Sequence, residues 1–242
     1  MNVTTLIMDP VMMMIRKFCS VNILPSLLIL LISPFIYAQQ NDFQFWPSVQ
    51  VGLGVSKNVR VYLEEEIRFR ENCTQLARQV NDLGISFKLN KYFRSALYYR
   101  VEADWNNADN YRWKQGFYAD LLFRYSPGRF LLGYRTRFQS ARIEFNEKQV
   151  QLLGRMVNRH KFKLAYNFKN IPFTPFAEGE LFFQFDHNQY NMSNLRTWIG
   201  LDYTPGKMHE FSIKYGFDRE YMTTDPLTSY IIGFNYTINL KL

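Results

Sequence analysis

One period dominates this sequence. Apolar and polar residues alternate over segments of about ten residues, almost from end to end. Successive side chains on a strand point to opposite faces, so alternation gives each strand two unlike surroundings. Val49, Val51, Leu53 and Val55 interleave with Ser48, Gln50, Gly52, Gly54 and Ser56. Val59, Val61, Leu63, Ile67 and Phe69 oppose Arg60, Tyr62, Glu64, Glu66, Arg68 and Arg70. The pattern returns over 83–89, 97–103, 117–125, 130–138, 162–168 and 211–217, and closes over 230–240. No helical period is sustained, so the chain reads as all-β.

Composition narrows the choice of β fold. Phe and Tyr number 22 and 16, yet mean hydropathy is −0.26. Two unlike faces reconcile these numbers, one apolar and aromatic, the other rich in Arg, Lys, Glu and Asp. A disordered chain would lack the aromatics, and a helical membrane protein would need apolar runs of ~20 residues. In a soluble sandwich the apolar face would meet a core; in a membrane barrel it meets lipid, and the charges line the lumen. Strands of ~10 residues with aromatics at their ends fit the membrane. Trp46, Tyr92, Tyr111, Trp113, Tyr125, Tyr203 and Tyr230 are the expected girdle residues.

The N-terminus supports the same compartment. Arg16 and Lys17 precede an apolar run over 21–38, broken by Pro25 and Pro34, and polar residues follow Ala38. That is the layout of a secretory signal peptide. Residues 1–38 are therefore expected to be removed, leaving a barrel over 39–242 placed in the outer membrane. Cys19 would leave with the leader, and Cys73 would stand as the single cysteine, excluding an internal disulfide.

Turns set the strand count. Lys57-Asn58, Asn90-Lys91, Ser126-Pro127-Gly128, Lys169-Asn170 and Pro205-Gly206 carry tight-turn residues. Longer polar connections are expected near 71–78, 105–112, 140–149, 186–194 and 219–226. Short turns would face the periplasm and long loops the outside. Eleven strands are clear. Single-chain bacterial barrels usually have even numbers, so an extra strand over 39–45 is expected, giving an antiparallel barrel of about 12 strands, with 10 as the alternative. Glu65 falls on the lipid-facing parity of its strand, where a bulge or an interfacial position would accommodate it.

Several short motifs, taken in order, carry a resemblance. They are Phe45-Trp46, Glu66-Ile67-Arg68, Arg135-Thr136-Arg137, Asn158-Arg159, Leu164-Ala165-Tyr166-Asn167-Phe168, Pro175-Phe176, Glu180-Leu181-Phe182, Asn194-Leu195-Arg196 and Gly200-Leu201-Asp202-Tyr203. In this order they resemble the Gram-negative outer-membrane family catalogued as domain of unknown function 2490. The resemblance implies an outer-membrane β-barrel and assigns no activity. Barrels of this kind often end on an aromatic, whereas this chain ends Leu240-Lys241-Leu242.

Chemical motifs are sparse. Neither a Gly-x-Ser-x-Gly elbow nor a His-Glu-x-x-His pair occurs. His187, beside Asp186 and near Asn191 and Ser193, is the one weak catalytic candidate, for a lipid-modifying barrel enzyme. No metal or cofactor is expected. The informative residues are the charges on the inward parity: Arg60, Glu64, Glu66, Arg68, Arg94, Arg100, Glu102, Asp120, Arg124, Arg135, Arg137, Arg159, Glu178, Glu180, Arg196 and Asp202, with Arg70, Lys161, Lys163 and Lys214. They describe either a salt-bridged filling or a narrow, porin-like, anion-preferring pore. The net charge of +8 is spread at strand period, not gathered in a patch, which argues against nucleic acid. Expected partners are outer-membrane lipid and the barrel assembly machinery. The expected function is a non-enzymatic barrel, structural or narrowly porous.

Overall fold

The computed structural model describes residues 41–106, 110–140, 142–146, 149–153, 156–186, 189–221, 223 and 226–242. The expected leader over 1–38 lies outside the described residues. Every regular element among them is a strand. β1 spans Asn41–Gly54, β2 Val59–Arg70, β3 Gln75–Lys88, β4 Phe93–Asn106, β5 Asn110–Tyr125, β6 Phe130–Gln139 and β7 Arg142–Asn146. β8 spans Gln149–Leu153, β9 Val157–Tyr166, β10 Phe173–Asp186, β11 Gln189–Tyr203, β12 His209–Glu220 and β13 Thr228–Lys241.

The strands meander. β1 to β6 pair antiparallel in order, β6 pairs with β9, and the order resumes to β13. β13 then pairs with β1 in parallel, Asn41 opposite Thr228 and Gly54 opposite Lys241. Eleven strands close the ring. β7 and β8 make a hairpin that prolongs β6 and β9 beyond the ring and is held to β5 at 113–115.

The count falls inside the expected ten to twelve, but the extra strand over 39–45 is not separate. Its described part is the beginning of β1. In a meander with an odd number of strands, the first and last run in the same direction. Closure therefore takes a parallel ladder instead of an added strand.

The expected long connections are mostly strand as well. The β2–β3 link is only 71–74, and β4, β5, β10 and β11 continue through much of the sequence read as loop. Beyond a lipid layer both faces of a hairpin meet water, so strands persist there without apolar alternation. Glu71, Asn72 and Cys73 carry the 71–74 reversal in left-handed backbone, with φ of 54°, 56° and 66°. The turn is tied to β1 by Cys73 N–H to the Phe43 carbonyl, 3.1 Å, and Asn72 N–H to Asp42 Oδ1, 3.0 Å.

The outer face is a belt with two borders. Leu63, Leu83, Leu97, Phe117, Phe162, Ile199 and Ile213 are exposed large hydrophobics on it. At the short-turn end aromatic rings pair around the barrel. Tyr92 packs with Phe123 and Tyr125, Phe130 with Tyr166, and Phe173, Tyr203, Phe211 and Tyr236 follow in a chain. At the other end polar side chains appear on the outward parity. Gln79 donates to Glu65 at 2.6 Å and Tyr99 donates to Gln115, while between the borders Tyr134 Oη meets His160 Nδ1 at 2.8 Å. Phe130 to Phe138 covers about 26 Å along its strand at roughly 3.3 Å per residue. A tilt near 40° reduces that to about 20 Å of height, close to the usual apolar band.

Glu65 thus stays on the outer face at the polar border, in regular register with Asn81. The bulge in that ladder lies further on, at Arg68/Phe69. Trp46 does not join the girdle. It points inward and is 7% exposed, because Trp46 shares the parity of Ser48 and Gln50, which face the lumen.

Candidate functional site

The lumen is built from the inward residue of every second position. Trp46, Ala165, Phe176, Trp198 and Ile231 form an apolar cluster there, with Leu131 packed against it. Glycines make room for rings to lie flat on neighbouring strands. A Cβ at Gly84 would meet the Tyr98 ring at 2.1 Å, and one at Gly216 would meet the Thr197 carbonyl oxygen at 1.9 Å and the Trp198 ring at 2.8 Å. Tyr98 consequently stacks on Tyr118 at 4.6 Å and, more distantly, on Tyr62 at 6.5 Å.

Around these rings the charges are paired at close range. Arg100 forks onto Asp82 at 2.7 and 2.6 Å, and Tyr118 Oη donates to the same carboxylate at 2.8 Å. Arg137 forks onto Asp120 at 2.7 and 2.8 Å while its guanidinium lies 3.8 Å from the Tyr118 ring centre. Glu180 accepts from Arg135 at 2.5 Å and from both arms of Arg159 at 3.0 Å. Lys161 and Lys163 flank Glu178 at 3.2 and 3.5 Å, and Lys163 also reaches Asp202 at 3.1 Å. Arg68 pairs with Glu66 at 2.6 Å. Arg196 donates twice to Asp218 Oδ2, and Arg78 and Lys114 share Asp104.

Several of these contacts skip strands. Arg135 and Glu180 sit on β6 and β10, with β9 between them. Arg196 of β11 reaches the Trp46 ring of β1 at 4.8 Å, past β12 and β13, and Lys163 of β9 reaches Asp202 of β11 past β10; Arg68 lies 4.0 Å from the same Trp46 ring from the adjacent β2. Such contacts reach over intervening strands into the lumen instead of joining only paired neighbours along the wall. The midsection they leave is a cavity of about 250 Å³, lined by Glu64, Glu66, Arg100, Arg159, Lys161 and Lys214 among others. That is room for roughly eight waters at about 30 Å³ each. Opposite charges in so little water interact strongly, and each would be costly to leave alone.

The structure puts all sixteen sequence-designated charges on the inward side, in distinct settings. Glu64, Glu66, Arg68, Arg100, Arg135, Arg137, Arg159, Glu178, Glu180 and Arg196 line the central cavity. Glu102 and Asp120 are buried in the wall at 1% and 5% exposure. Asp202 meets Lys163, and Arg60, Arg94 and Arg124 line a larger space toward the short turns. His187 lies outside the described residues. Of its sequence neighbours, Ser193 is buried and donates to the Phe182 carbonyl at 3.4 Å. Sequence reasoning left Arg78, Asp82, Asp104, Lys114 and Asp218 out of the lumen set. Parity would have found Asp82, Asp104 and Asp218, whereas Arg78 sits in sequence read as a connection and Lys114 just beyond one, where strands extend further than expected. Among the described residues no group of three or more His, Cys, Asp or Glu could hold a metal ion.

A closed, all-β barrel of outer-membrane type with a charged, aromatic-packed lumen is the class these features define. The family model described as protein of unknown function, DUF2490, matches residues 43–227. The chain belongs to that family. Among solved structures it is similar to the translocator domain of the autotransporter NalP from Neisseria meningitidis, at 14% identity over 71% of each chain, with a TM-score of 0.34. No curated protein matches.

Proposed function

We propose that this chain is a non-enzymatic outer-membrane barrel whose lumen is closed to free flow at mid-height by its own ion pairs. The carrying observation is the set of contacts that reach past a neighbouring strand, Arg135 to Glu180 and Lys163 to Asp202, with Arg159 of the adjacent strand closing on the same Glu180. A water-filled pore keeps opposite charges on separated walls; here they are drawn together. An interior of eleven strands is wider than the eight that side chains just fill. Arg forks stacked on Tyr and Trp supply the extra bulk.

Outer-membrane placement is supported by the apolar belt, the aromatic border at one end and the polar border at the other. In this reading residues 1–38 are a cleaved leader, the assembly machinery inserts the barrel, and the short turns face the periplasm. Purified full-length protein should migrate faster on gels before boiling than after. It should sediment with outer membranes and give no stepwise conductance in planar bilayers. Replacing Arg135, Arg159 and Glu180 together by Ala should produce conductance steps. Steady steps in the wild type would overturn the closed lumen, and a boiling-insensitive protein in the soluble fraction would overturn the barrel's location.

A further inference from the structure

The lumen is not uniformly neutralised along its length. Toward the short turns lies a second space of about 780 Å³, three times the central cavity. Arg60, Arg94, Arg124, Lys207 and Lys241 line it, with Glu210 as its one carboxylate. An adjoining space of about 570 Å³ shares Arg60, Arg94 and Lys241 and adds Lys57 and Lys88. In the midsection Arg137 and Arg196 each hold a carboxylate of their own, and Arg135 and Arg159 share Glu180. Among the described residues Arg60, Arg94 and Arg124 make no ion pair. Arg60 donates only to the neutral Asn239 at 3.0 Å, and Arg94 only to Tyr62 at 3.4 Å.

We propose that this vestibule is a binding site for a soluble, multiply charged phosphate-type oxyanion. Guanidinium forks match phosphate oxygens two at a time, and several of them facing one space suit an anion with more than one charge. The volume lies in the range of small-molecule sites. The vestibule lies toward the short turns, so a ligand reaches it from that side. Opposing walls contribute to the site, with Arg60 on β2, Arg94 on β4, Arg124 on β5 and Lys207 in the turn before β12. It therefore exists only in the closed barrel. The inference stands on the charge layout and does not depend on the lumen being closed to flow.

The test is calorimetric titration of the full chain in neutral detergent micelles with inorganic pyrophosphate, at constant ionic strength. Saturable binding of one pyrophosphate per barrel is expected. Arg60→Gln, Arg94→Gln and Arg124→Gln combined should weaken it at least tenfold. A control set, Lys91→Gln, Arg129→Gln and Lys169→Gln, makes the same change in net charge on exposed turn residues and should leave binding within twofold. Gel mobility before and after boiling checks that both sets fold. If the arginine set does not, Arg94→Gln alone is titrated and should weaken binding several-fold. Absence of saturable binding, or equal weakening in both sets, overturns the proposal. Displacement of pyrophosphate by phosphatidylglycerol added to the micelles would assign the site to a lipid headgroup and overturn the soluble ligand.

Discussion

Glu180 shows what a single residue does in this lumen. It is 3% exposed and accepts from two guanidinium groups on two different strands. The two cations, on the paired strands β6 and β9, would repel without it. Glu180→Ala removes the shared partner and leaves two buried charges unmatched. The expected cost is about 3–5 kcal/mol, the size seen when one member of a buried pair is deleted. Urea unfolding in lipid vesicles, followed by loss of the heat-modifiable gel form, measures it. A change under about 1 kcal/mol would mean that water, not Glu180, neutralises Arg135 and Arg159. The neighbouring Arg137 illustrates why Lys would not serve equally. Its fork uses both Asp120 oxygens while its flat face lies on Tyr118, and an ammonium has neither the planar pair of donors nor a flat face to stack.

At the scale of elements, the parallel seam between β1 and β13 is the feature that closes the barrel. Ser48 stands opposite Asn235 there, and Asn235 Nδ2 donates to Ser48 Oγ at 2.7 Å. A Ser48→Cys, Asn235→Cys protein in a Cys73→Ser background should form an intramolecular disulfide on mild oxidation. The cross-linked species should migrate differently from its reduced form after boiling. A pair shifted by two residues, Ser48→Cys with Thr237→Cys, should cross-link far less. Equal cross-linking would show that the seam slides. The strands themselves were legible in the sequence because parity is local: Leu63 and Glu64 declare their faces without knowledge of any neighbour. Pairings were not. Whether Glu180 meets Arg135 depends on β9 lying between β6 and β10 and on their register, which no local pattern contains. Trp46 misled for a related reason. Aromatic character marks a girdle only on the outward parity, and Trp46 sits on the inward one. The extended hairpins misled because water on both faces removes the alternation that reveals a strand.

At the scale of the whole molecule, the two ends of the barrel can be told apart chemically. Cys73 lies in the 71–74 turn beside the start of β1, at the end bearing the long hairpins. Partial burial and the Asp42 carboxylate push its thiol above the usual range. A raised value means less thiolate at neutral pH, so reaction with a maleimide should be slow near pH 7 and more than about tenfold faster near about pH 8.5. If the long hairpins face outward, a membrane-impermeant maleimide should label Cys73 on intact cells. Labelling only after cell lysis would reverse the assigned orientation. β1 begins at this end, whereas β13 finishes at the other, where Leu242 N–H reaches the Gly54 carbonyl at 3.2 Å. An even-stranded ring could be circularly permuted by joining its termini with a tight turn. Here the joining segment would have to run the full height of the wall, about 46 Å for fourteen extended residues. Permutants of this barrel therefore need a linker as long as a strand, and such a linker, laid along the seam, would itself be a twelfth.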